Sequence, residues 1–167
     1  MSLLWSEENK VVQVLTLAEQ TDADHTTDIV NVADYKRLTF LIVTGASAAN
    51  IPQVTVLAGI SNASAATAII FKYRTQIGAV PPAANSDVPS ELTAAETTGF
   101  AVTTAKEGGV YIIEVDIREV AEGGVQYDHV CLKLTQDGST HAVHNYTVLA
   151  ILSQPRYPQG ILQTAID

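Results

Sequence analysis

Cysteine is almost absent from this chain. Cys131 is the single one in 167 residues, so no internal disulfide can form and the fold does not depend on oxidation. Its place in an alternating apolar run reads as a small buried hydrophobe rather than a nucleophile. Charge is scarce too: charged residues make up 16%, against the ~25% typical of globular domains, so part of the surface is expected to be covered by something else. Basic residues are half as many as acidic ones, 9 against 18, and the net charge of -9 repels phosphate and offers no basic stripe. Direct nucleic-acid binding is not expected.

Long hydrophobic runs are missing. No window approaches the ~18 uninterrupted apolar residues of a membrane span, and no membrane partner is expected. The opening Met1-Ser2-Leu3-Leu4-Trp5-Ser6-Glu7-Glu8 has no positive leader and too short an apolar stretch for a signal peptide. The chain is therefore expected to be made and folded in a cytoplasm. Helical periodicity is missing as well, since no stretch longer than about ten residues keeps an apolar stripe at three-and-four spacing.

What is present is period-two alternation and β-branched runs. Strands are expected over Val11 to Leu17, Ile29 to Val32, Arg37 to Thr44, Pro52 to Ile60 and Ala68 to Thr75, the last two as a pair. The near-continuous apolar centre of Arg37 to Thr44 suits a mid-sheet strand buried on both faces. From residue 78 to 98 the composition shifts to Ala, Pro, Thr, Ser and Glu, and Pro81, Pro82 and Pro89 block ladder formation in one long loop. In the last third, glycine turns at Gly108-Gly109, Gly123-Gly124 and Asp137-Gly138 delimit Phe100 to Thr104, Val110 to Glu119, Val125 to Thr135 and Ala142 to Leu152. These read as a four-strand antiparallel meander. In the second of them Tyr111, Ile113, Val115 and Ile117 share one face. Eight or nine strands without a helical crossover predict an all-β fold, one antiparallel β-sandwich of jelly-roll type over residues 1–167. Residues 1–10 and 159–167 are expected to be terminal arms.

Chemistry is harder to find. His141 and His144 are three apart, but on a strand that spacing points them to opposite faces. His25 and His129 are isolated. Asp22, Asp24, Thr26 and Asp28 alternate like the first half of a calcium loop, yet Thr27 stands where that loop needs glycine and Ala33 where it needs glutamate. A solvated acidic turn is the simpler reading. Glu114 and Asp116 would sit ~7 Å apart on one strand face, a separation compatible with paired carboxylates, but Arg118 follows and a charge-paired surface is simpler. No Gly-x-Ser-x-Gly elbow and no phosphate-cradling glycine loop occurs. No catalytic residue, cofactor site or metal site is assigned, and the chain is not expected to be an enzyme.

Several stretches together resemble a known family: Tyr35 to Gly45, Phe71-Lys72-Tyr73-Arg74, Gly109 to Asp116 and Ala150 to Pro158. In them the chain resembles small tailed-bacteriophage virion proteins of the capsid decoration (cement) or head minor-structural type. The resemblance implies a protein on the exterior of a capsid that binds neighbouring subunits of the major capsid protein, as a homo-oligomeric trimer or dimer. The candidate subunit contacts are Leu3, Leu4 and Trp5 in the N-terminal segment, and Val80, Pro81, Pro82, Val88 and Pro89 in the long loop. Trp5 is read equally as an anchor or as a side chain folded back onto its own core. Two alternatives are a head-tail connector or tail protein forming a ring, and a carbohydrate- or receptor-binding module. For the latter, aromatics at 6% are few, although Tyr111, Tyr127, Tyr146 and Tyr157 could supply a small platform.

Overall fold

The alternating segments form strands because a pleated backbone sends successive side chains to opposite sides, so every second residue can enter a shared core. The computed structural model describes residues 4–20, 24–47, 53–76, 88–102, 109–122, 125–135, 144–156 and 165–166. A short helix α1 (Trp5–Glu8) precedes the first strand. One sheet, called A here, has the order β1 (Asn9–Gln20), β14 (His144–Pro155), β4 (Tyr35–Ser47), β10 (Val110–Asp116), β7 (Phe71–Gln76), β8 (Thr93–Ala95). The facing sheet B runs β2 (His25–Thr26), β13 (His129–Thr135), β5 (Gln53–Gly59), β6 (Thr67–Ile69). Two short strands complete it, β3 (Val30–Asn31) along β13 and β9 (Phe100–Ala101) along β5. A small hairpin joins β11 (Ala121–Glu122) to β12 (Val125–Gln126). All of these pairings are antiparallel.

The architecture is an all-β sandwich with jelly-roll strand order. Taking β2 and β3 as one broken strand, and β7, β8, β9 and the β11–β12 hairpin as additions, eight strands remain. Their order is first-eighth-third-sixth in sheet A and second-seventh-fourth-fifth in sheet B, the double Greek key of a jelly roll. Leu38, Phe40 and Ile42 from β4, Tyr111 and Ile113 from β10, and Tyr146 and Leu152 from β14 meet Val54, Val56, Val130, Leu132 and Leu134 from sheet B, all fully buried or nearly so.

Three sequence expectations need correction. The four-strand meander does not form: β9 and β13 lie in sheet B, while β10 and β14 lie in sheet A. A short polar turn looks alike in sequence whether it reverses the chain within a sheet or carries it across to the other. The run from Ala68 to Thr75 is not one strand but two, since β6 pairs with β5 and, after Ile70, β7 pairs with β10 in the other sheet. Val110 to Glu119 also ends early: Asp116 accepts from the Arg118 backbone N–H at 3.1 Å and caps a single 3-10 turn, Ile117–Glu119.

At the chain ends, Asn9 and Lys10 already belong to β1, and Ala165 is buried with its carbonyl accepting from the Asn31 N–H at 2.9 Å. That residue of the expected C-terminal arm packs on its own domain. Of the long loop, residues 78–87 lie outside the described residues, and 88–98 include β8. Gly99 then turns the chain from sheet A to sheet B at φ +79, where an added Cβ would meet the Val54 carbonyl oxygen at 2.0 Å. Only glycine combines that backbone angle with that approach.

Candidate functional site

The surface that stands out is the outer face of sheet A. Cross-strand register fixes its rows. Val11, Ile151, Thr39, Glu114 and Lys72 are successive partners in one, and Gln13, Leu149, Leu41, Ile112 and Arg74 in the next. A third holds Thr147, Val43, Val110 and Gln76. Seven aliphatic side chains therefore stand together on the side of the sheet turned away from the core. Val11 is 47% exposed and Val43 38%, while Leu41, Ile112, Leu149, Ile151 and Val110 are half-buried among one another. With strands ~4.8 Å apart and same-face residues ~7 Å apart, the apolar centre measures roughly 14 Å by 14 Å, on the order of 200 Å². Solvated faces of antiparallel sheets are ordinarily polar.

This face also corrects the sequence reading of β4. Its apolar run does sit mid-sheet, between β14 and β10, but only one side meets the core, and among the described residues no element packs over the other. The sequence pattern for burial on both faces is present, with no second cover among the described residues.

Charge is arranged around that centre. Lys72 and Arg74 line the β7 side, and Arg37 stands beside Asp116 at one end. Asp116 is held by Arg118, whose Nε donates to Oδ1 at 2.9 Å and whose Nη2 donates to Oδ2 at 2.5 Å. That hydrogen-bonded guanidinium lowers the Asp116 carboxyl to about 2. Arg74 Nη1 donates to the Ser90 carbonyl at 2.9 Å, leaving its charge at the rim. On the strands Arg37, Lys72 and Arg74 stand with Glu114 and Asp116, and in the adjoining 3-10 turn Arg118 stands beside Glu119, so this face lacks the acidic excess of a chain at -9.

Of the residues singled out from sequence, the described ones fall at the two edges of the same sheet. Leu4 is 67% and Trp5 59% exposed, so Trp5 does not fold back into the core. Its carbonyl accepts from Asn9 Nδ2 at 2.8 Å, which ties α1 to the start of β1. Val88, 59% exposed, and Pro89 lead into Ser90, whose backbone N–H donates to the Thr75 carbonyl at 2.8 Å beside β7. The two groups are separated by about five strand spacings, ~24 Å, and are not brought together. Leu3, Val80, Pro81 and Pro82 lie outside the described residues.

Other sequence candidates are used structurally. Asp24 pairs with Lys133 at 2.9 Å, and the buried Thr27 hydroxyl accepts from the Leu132 N–H at 3.0 Å, so the Asp24 to Asp28 segment is stitched onto β13. An open depression of about 290 Å³ beside it is lined by Thr26, Thr27, Asp28, Ile29, Asn62 and Ile166. Among the described residues no three His, Cys, Asp or Glu side chains group as metal ligands. His141 lies outside the described residues, His144 opens β14, His25 packs edge-on against Tyr146, and His129 Nδ1 lies 2.6 Å from Asp128 Oδ1. Cys131 is buried, and desolvation pushes its thiol up to about 11. The tyrosine platform does not form: Tyr111 and Tyr146 are buried, Tyr127 is half-buried with its hydroxyl 3.4 Å from the Thr67 Oγ1 donor, and Tyr157 lies outside the described residues. Tyr73 and Phe100 stack at 4.1 Å, with Phe100 also against Phe71 and Tyr111, so these rings fill the space between the sheets.

No protein-family model matches this chain. No curated protein matches it either. Among solved structures it is similar to the SPBc2 prophage-derived protein YomS, at 12% identity and a TM-score of 0.47, over 88% of this chain and 94% of that one.

Proposed function

We propose that this chain is a non-enzymatic structural protein of a tailed-phage virion, of the decoration type, that binds major capsid subunits on the outside of the shell. The observation that carries the proposal is the apolar outer face of sheet A, an aliphatic patch on the order of 200 Å² framed by charge. Aliphatic side chains gathered on the outer side of an antiparallel sheet, where polar ones are ordinary, suit a surface that a partner covers. The jelly-roll order supports a binding module, since that architecture serves capsid and lectin domains among others, although fold alone does not assign a role. The net charge of -9 favours the outside of a shell over contact with packaged DNA. Family resemblance in Tyr35 to Gly45 and Gly109 to Asp116 falls on β4 and β10, the strands that build the centre of this face. Loss of the tyrosine platform weighs against the carbohydrate-binding alternative.

Co-sedimentation with shells assembled from the major capsid protein of the same genome tests this. Binding is expected to saturate at a fixed number of copies per shell. Protein left entirely in the supernatant would reject the decoration role.

A further inference from the structure

We draw no further inference here: the strongest candidate, the apolar outer face of sheet A around Leu41 and Ile112, belongs to the site already described, and nothing in the structure shows what covers it.

Discussion

Tyr146 illustrates how a residue serves packing at the expense of its polar atom. Its ring lies in β14 against His25, fully buried, and its hydroxyl has no hydrogen-bond partner among the described residues. Burial raises its phenol well above the usual tyrosine range. An unpaired buried hydroxyl costs about 1–3 kcal/mol, so Tyr146→Phe is expected to leave stability unchanged or raise it by about 1 kcal/mol. A denaturant titration checks this, and a clear loss of stability would mean that the hydroxyl is satisfied within the fold. The Thr27 hydroxyl is the opposite case, since it accepts from the Leu132 N–H and joins the β2 to β3 connection to β13. At this scale, the residues that looked chemical in the sequence turn out to be committed: Asp116 to Arg118, Asp24 to Lys133, Cys131 to a desolvated pocket near the Ala65 carbonyl.

At the scale of elements, the crossing from sheet A to sheet B at Gly99 is sensitive to substitution. Gly99→Ala places a Cβ against the Val54 carbonyl at a left-handed backbone angle. It is expected to cost at least about 2 kcal/mol, measured as a lower melting temperature with the outer face of sheet A unchanged. A melting temperature equal to the parent's would show that the turn relaxes freely. Strand positions were legible in the sequence because alternation reports which side is buried: Tyr111, Ile113, Val115 and Ile117 do share the core side. Topology was less legible. Nothing in the Gly108-Gly109 or Asp137-Gly138 turns says whether the next strand joins the same sheet or the opposite one, and the run through Ile70 gives no sign that its two halves separate. The mid-sheet place of β4 could be read from its apolar run, but the pattern could not say what lies over the second side. The outer face went unrecognised for that reason, although its signal was present in Leu41, Val43, Leu149 and Ile151.

For the whole molecule, two features act together: a sandwich whose inner faces form the core, and an apolar outer face rimmed by Lys72 and Arg74 on one of its sheets. Low overall charge fits such a molecule, because a surface meant to be covered does not need the charge that keeps a free-standing one soluble. Exposed groups at α1 and at Val88 and Pro89 lie at opposite edges of sheet A, so the molecule can be held from two sides within an assembly. A cement acts by adding contacts that the bare shell lacks, and binding to the intact shell alone must shift the shell's opening to harsher conditions. The most direct measurement is the temperature at which shells of the major capsid protein from the same genome open, with and without saturating amounts of this protein. A higher opening temperature in its presence, reduced by Leu41→Lys, is the expected result. Shells that open at the same temperature with the protein bound would contradict the stabilising role.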